Sequence, residues 1–500
     1  VAWTRAALGA VAVVATGGLL VSGGSSAGPR TPAALPGEPA PFLGTAVVGS
    51  GGLTAAVDAY GDVVDLRVPG PAGRGLIDNP AARQAAGTVS PTTGIVTRIA
   101  VDGGKPRPLW QADSVRQRYL PGTNVLETEA RFGSARVEIT TAVAGSSLER
   151  CVTVAGPASR QIRAETSFNL SPGARIGCAG AAGRRAIRLS AAADRRWLAQ
   201  ARPLGPGAPA WARRMYSRSL LVLHALADRR TGAVAAGARD GWVYVWPRDA
   251  ATAALAFAAA GYRSEARRVG RFLLDLNLDA AARFGGDGPP VPGRAAQGDA
   301  WGWVAAASRA TGLPLPPGHP IWRNRADYQE KSPSSYLANA IASAALPADG
   351  PKSDHISHLS ARRPEVALTR RLGDLGSGWD SAAAWAVRPF ALRPLYPAVR
   401  ASLRRALRTG SRFGLLPSQD WPGRDPWTAP TAWTAWSLAA LGERRQALRL
   451  MADLRRAATP AGLLPERVDA QTGLPASTTP LAWSHAFAIL ALRELWPGRS

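Results

Sequence analysis

The chain has 500 residues, 46% of them hydrophobic and 19% charged, enough for two or three domains with sizeable cores and too apolar for a disordered chain. Lys+Arg 60 against Asp+Glu 35 leaves a net charge of +25, yet Lys105, Lys331 and Lys352 are the only lysines and the arginines are scattered. That scatter, with high Ala, Gly and Pro, reads as a GC-rich coding bias and weighs against a nucleic-acid partner.

From Ala6 to Pro29 no residue is charged, and LGAVAVVATGGLLVSGG leads to Ser25-Ser26-Ala27. A basic start, an apolar run and a small-residue exit predict a secretory signal over 1–27. An uncleaved membrane anchor is the competing reading, because the run is long enough to span a bilayer. The glycines within it favour cleavage, so the expected location is secreted or extracytoplasmic, with anchoring as the alternative.

Residues 28–42 form a Pro-rich tether. The stretch 43–200 is expected to be an antiparallel β-sandwich, from short segments such as LTAAVDA, GDVVDLRV, NVLETEARFG and ARVEITTAV. In the last of these Val137, Ile139 and Thr141 alternate with Glu138 and Thr140, the period of a half-buried strand. Cys151 and Cys178 could pair, since the compartment permits it, but spacing in sequence does not show it. His224, His319, His355, His358 and His485 do not form a metal-ligand pattern, and no CxxC or HExxH occurs.

A loose stretch at 201–210 precedes a helical region, 211–500. Arginine-bearing amphipathic segments alternate there with segments apolar nearly all round: AATAALAFAAAG, WGWVAAASRATG, YLANAIASAAL, SAAAWAV, TAWTAWSLAAL and LAWSHAFAILAL. A helix apolar on every side is buried on every side. Six such helices interleaved with amphipathic ones, including weaker outer segments near 321–327 and 362–372, predict an (α/α)6 barrel with six inner and six outer helices. An irregular helical bundle would not need the alternation.

Each inner helix follows a loop rich in polar and aromatic residues, so these loops should meet at one mouth. The 17 tryptophans, against 8 tyrosines and 9 phenylalanines, suit such a mouth as flat faces for sugar rings. Glu330 precedes the third inner helix and Glu466 the sixth, positions opposite each other in a ring of six. Facing carboxylates are the pair for glycoside hydrolysis, one giving a proton to the leaving oxygen and one activating water, about 6.5–9.5 Å apart when the reaction inverts configuration.

The segments GWVYVWPRDAATAALAFAAAGY (241–262), QGDAWGW, DPWTAPTAWTAWSLAALGERRQAL and GLLPERVDAQTGLPASTTPLAWSHA (462–486) resemble glycoside hydrolase family 15, the glucoamylases and their relatives. The resemblance covers roughly 205–496, and the preceding sandwich is similar to the two-domain layout of bacterial members. It implies an inverting, exo-acting hydrolase that needs no cofactor and releases glucose from non-reducing ends of an α-glucan. It places Arg248 and Asp249 on the hydroxyls of the terminal glucose and Glu466 as general base. It aligns Glu330 as general acid, and puts Trp246, Trp301 and Trp483 against sugar rings and Arg424 as a further sugar ligand. Two departures stand out. Gln329 occupies the place where the family has a tryptophan beside the acid, and Arg467 follows the base where glutamine is common. Arg467 is expected to lower the pKa of Glu466. A trehalase or an α-1,6-glucan hydrolase is the nearest alternative activity. A catalytically degenerate glycan-binding or cell-surface protein is the alternative of another class, and arginine-driven binding to nucleic acid or wall polymers is a third.

Overall fold

A computed structural model describes residues 45–68, 70–77, 94–157, 161–168, 176–177, 180–315, 325–330, 336–344, 346 and 378–498. The expected signal (1–27) and tether (28–42), Cys178, His319, His355, His358, the outer helix expected near 362–372 and residues 321–324 of the one expected near 321–327 lie outside the described residues, and 325–327 are not helical.

The N-terminal strands form two sheets. The first holds β1 (Ala46–Gly49), β2 (Thr54–Val57), β3 (Val63–Val68), β4 (Arg74–Gly75), β5 (Ile95–Val101), β6 (Arg107–Pro108) and β11 (Ile162–Phe168), in the path β1-β2-β3-β5-β11 with β4 and β6 off it. The second holds β7 (Ser114–Tyr119), β8 (Leu126–Phe132), β9 (Ala135–Ala144), β10 (Ser147–Ala155) and β12 (Ile176–Gly177), in the order β12-β10-β9-β8-β7. Along β9, Val137, Ile139 and Thr141 are buried while Glu138 is exposed, so the two-residue period does select the inner face. Ile99, Leu109, Phe132, Val137 and Ile139 share one core cluster drawn from both sheets. Cys151, on β10, is disulfide-bonded.

A helix not anticipated in the sequence, α1 (Gly180–Leu198), lies on the second sheet. Its buried residues Gly183, Ile187 and Ala191 recur every fourth position, a narrow stripe hidden among arginines. The sandwich meets the helical region through a shared apolar core, in which Val47 and Val57 join Leu220 and Val222, and through polar groups. Asn124 Nδ2 donates to Gly49 O at 3.0 Å and to Leu221 O at 2.9 Å, and the Arg218 guanidinium lies 3.7 Å from the Tyr119 ring centroid.

The helical region is an (α/α)6 barrel. Its inner elements are α3 (Pro247–Ala260), α5 (Ala300–Thr311), α6 (Tyr336–Ala344), a 3-10 helix at Ser381–Ala386, α8 (Thr428–Ala440) and α10 (Ala482–Leu495). The outer helices among the described residues are α2 (Ala210–Leu226), α4 (Arg263–Leu274), α7 (Tyr396–Thr409) and α9 (Arg444–Ala457). The fourth inner element is shorter than expected. Asp380 caps it by accepting Ala382 N, and Pro389, lacking an N–H, follows just beyond its end. Gly302 is where α5 meets α6: a Cβ there would stand 2.4 Å from Ala342 O.

Trp303, Trp385, Trp433 and Phe487, from four inner elements, close a ring of aromatic contacts with centroids 5.0 to 5.8 Å apart. All four are fully buried. Much of the tryptophan content is therefore barrel core, where edge-to-face packing of large rings adds about 0.5–1.5 kcal/mol per pair beyond area burial.

Candidate active site

The loops before the inner helices meet at one end of the barrel around a cavity of about 260 Å3. Trp246, Arg248, Asp249, Glu330, Glu466 and Trp483 line it, so six of the eight residues singled out in the sequence come together. Trp301 and Arg424 do not line it. Trp301 is half-buried in the first turn of α5, packed against the core, and Arg424 is exposed on the 417–428 loop.

Trp246 is the N-cap of α3 and Pro247 its first residue, a position where proline's missing N–H costs nothing. This start sinks Arg248 and Asp249 into the barrel mouth, each 4% exposed. Arg248 Nη1 donates to Gln297 Oε1 at 2.9 Å and to Asp299 Oδ2 at 2.7 Å, and its guanidinium carbon sits 4.7 Å from the Trp483 ring centroid. Both carboxyl and amide partners come from the loop before α5, so two inner helices fix this side chain. Burial pushes the Asp249 carboxyl up to about 7; Arg248 opposes the rise, and Glu466 and Asp299 add to it.

The loop carrying Glu466 is held on every side. Glu466 N donates to Thr478 O at 2.9 Å, Thr428 N donates to Glu466 O at 3.0 Å, and Thr428 Oγ1 donates to Pro465 O. Two residues earlier, Leu464 N donates to His485 Nε2 at 3.0 Å, which makes that nitrogen an acceptor. His485 Nδ1 must then carry the proton and donate to Ser219 Oγ, 2.9 Å away. Burial lowers the His485 pKa to about 3, consistent with this neutral tautomer.

The Glu466 carboxylate accepts a hydrogen bond from Ser477 Oγ, and Arg467 Nε lies 3.8 Å away. Arg467 does favour the ionised form, as its position beside the carboxylate predicts. The net effect is the reverse: burial outweighs Ser477, Arg467, Arg294 and Trp242 together, and the Glu466 pKa is raised. The expectation that Arg467 would set a low pKa is corrected by desolvation, which no sequence position reveals. Arg467 is also shared, with Asp425 Oδ2 at 3.3 Å.

Glu330 stands differently. It has φ 58°, its side chain is 38% exposed, and its carboxylate pairs with Arg294. The neighbouring Gln329 is buried and accepts a hydrogen bond from Ser418 Oγ at 3.1 Å. Tyr328 anchors this turn, with its hydroxyl 3.0 Å from Asp380 Oδ1 and 3.1 Å from Pro417 O. Burial keeps the Tyr328 hydroxyl protonated by raising its pKa well above the ordinary value.

Trp242, Arg294, Gln329, Trp421, Trp427 and Arg467 also line the cavity, beyond the residues given a binding role from sequence. Arg294 comes from the stretch 275–296 ahead of the QGDAWGW segment, whose sequence carries no period or motif to mark it. The buried N–H groups Arg248 Nε, Trp427 Nε1 and Trp483 Nε1, all on lining residues, have no hydrogen-bond partner among the described residues. Buried donors left unpaired are costly, so those on the cavity lining suit acceptor oxygens of water or of a ligand, although Trp303 Nε1 and Trp385 Nε1 in the core are unpartnered among the described residues too. Among the described residues no cluster of His, Cys, Asp and Glu could hold a metal ion.

The family model for glycosyl hydrolases family 15 matches residues 210–280. A bacterial glucoamylase solved with acarbose matches with a TM-score of 0.64 at 12% identity, over 92% of this chain and 96% of that one. Glucoamylase from Saccharomycopsis fibuligera matches with a TM-score of 0.44 at 15% identity, over 57% of this chain and 94% of that one. A structure described as a wild-type glycosidase matches with a TM-score of 0.47 at 19% identity, over 58% and 99%. No curated protein matches the sequence.

Proposed function

We propose that the chain is a member of glycosyl hydrolase family 15 that hydrolyses α-glucosidic bonds, a reading supported by the family-model match over 210–280 and by a barrel and sandwich folded as in a bacterial glucoamylase. In this reading it is an exported, inverting, exo-acting enzyme that releases glucose from non-reducing ends. The observation that carries it is the set of unpartnered buried donors, Arg248 Nε, Trp427 Nε1 and Trp483 Nε1, lining one small cavity with the carboxyl groups of Asp249, Glu330 and Glu466.

The terminal sugar sits against Trp246 and Trp483, its hydroxyls accepting from Arg248 and exchanging hydrogen bonds with Asp249. Glu466, ionised, takes a proton from water as the water oxygen bonds to the anomeric carbon. The bond from that carbon to the glycosidic oxygen breaks on the opposite face, and Glu330 supplies the proton to the departing oxygen. The hydrogen bond from Ser477 and the nearby Arg467 support the ionised state of Glu466 against burial. For Glu330 to act, its carboxyl group must leave Arg294 and turn inward. The 260 Å3 cavity suits the end of a chain rather than its length, which favours exo action.

A second reading, a glycan-binding protein without turnover, is favoured by the exposed Glu330–Arg294 pair beside the buried Gln329. Glucose release from maltose, isomaltose, trehalose and soluble starch, measured for the parent, Glu466→Gln and Glu330→Gln, tests both. Release abolished in both variants supports the assignment, and the preferred substrate separates glucoamylase, α-1,6-glucan hydrolase and trehalase. Release that survives Glu330→Gln removes that residue as the acid, and no release by the folded parent moves the assignment to the binding protein. Export is tested by locating the full chain in medium, membrane and cell fractions.

A further inference from the structure

A second opening, of about 1140 Å3, lies on the outer wall of the barrel between α4, the 230–231 turn and the 287–288 turn. Arg267, Arg268 and Arg271 of α4 line it, with Arg267 and Arg271 exposed and one turn apart. None of the three makes an ion pair with a described residue, although Arg268 lies within electrostatic reach of Glu265. Across the opening Arg230 is bonded to Asp287. Like charges at i and i+4 on a helix destabilise it, and a third cation at i+1 adds to the repulsion. Such a face is relieved by a bound anion, and guanidinium forks match phosphate oxygens two at a time. The carboxylates of Asp275 and Asp287 at the edges of the opening would repel a bare polyanion but accept hydroxyl protons, a mixture that fits a sugar carrying phosphate.

This opening is joined to the active site by one hairpin. Arg283 and Val291 pair at its base and Asp287 lies at its tip. At the base the Arg283 guanidinium stands 4.7 Å from the Tyr244 ring and 5.7 Å from the Trp246 ring of the catalytic cavity. Four residues of extended chain cover about 13 Å, so a few sugar units bridge the two. We propose that the α4 groove binds phosphate groups on the glycan whose terminal residue enters the cavity, making a phosphorylated α-glucan the preferred substrate class. The choice of a glycan rests on the glycosidase reading above, whereas the anion site rests on the arginines alone.

Calorimetric titration of the full chain with phosphorylated maltodextrin, and with the same dextrin after phosphatase treatment, tests the groove. The phosphorylated form is expected to bind at least about tenfold more tightly at low salt, and less so as salt screens the charges. The double variant Arg267→Ser/Arg271→Ser should bind both forms alike while releasing glucose from maltose at the parent rate. Equal affinity of the parent for the two dextrins, or an unchanged preference in the variant, overturns the proposal. Tighter binding of tripolyphosphate or a DNA oligonucleotide than of the phosphorylated dextrin overturns the glycan as occupant. If no glucoside is hydrolysed, the glycosidase reading fails on its own, because the titration does not depend on turnover.

Discussion

Replacing His485 by glutamine isolates a titration buried beneath the Glu466 loop. In the folded chain the pKa of His485 is lowered from 6.5 to about 3 by burial, since both ring nitrogens are committed in the neutral form. The unfolded state therefore takes up a proton first as the pH falls. Stability from this group is present above about pH 6.5 and declines as the pH drops towards 3. By linkage, the loss between pH 7 and pH 5 is about 2 kcal/mol, and about 4–5 kcal/mol once both states are protonated. Glutamine can accept from Leu464 N through its carbonyl and donate to Ser219 through its amide, but it does not titrate. Urea denaturation of parent and variant at the two pH values should show their difference in unfolding free energy shifting by about 2 kcal/mol against the parent at pH 5. His224, likewise lowered to about 3, is present in both proteins and cancels in the comparison. A difference that is the same at both pH values would refute the neutral, doubly bonded imidazole.

Arg248→Lys keeps the charge beside Asp299 but loses the planar fork, and should raise KM for maltose about 10- to 100-fold in steady-state assays. Trp427→Phe removes an unpartnered lining donor and should raise KM about fivefold, a hydrogen bond's worth. Trp301→Phe and Arg424→Ala, which lie outside the cavity, should leave KM within about twofold, an energy below that of one hydrogen bond. Asp62, buried beside Asp58 and Arg150, has its pKa raised by desolvation and by Asp58. Its protonated form is the one favoured on folding, so its contribution falls as the pH rises above about 4. Asp62→Asn should make stability decline less steeply across that range, as read by thermal melts. Gly302→Ala should cost about 1–3 kcal/mol in denaturant unfolding, because its Cβ would meet the Ala342 backbone.

The inner barrel was legible because its residues are apolar in every direction, and such helices have no stable place except inside. Five of the six segments read this way are α-helices, and the sixth, cut short ahead of Pro389, is a 3-10 helix. The β9 alternation was legible for the same reason, a period matching one buried face. Helix α1 escaped notice because its stripe of small and apolar residues is one position wide and surrounded by arginine. For the site, Arg248 and Asp249 in WPRDA are named by the resemblance of that motif to the family, and Glu466 in LPERVD both by that resemblance and by its loop lying opposite that of Glu330, and the structure brings all three to one cavity.

Local composition thus determined which segments are buried and which short motifs carry the polar groups, because burial and periodicity are written residue by residue. Only the tertiary structure decided what those groups face. It sent Trp303, Trp385 and Trp433 into the core rather than the cavity, and left Trp301 and Arg424 outside it. It brought Arg294 from a featureless connection onto Glu330, and raised rather than lowered the pKa of Glu466. Each of these depends on how much water a fold removes and which distant side chains it brings near, quantities set by the packing of all the helices together and carried by no single stretch of chain.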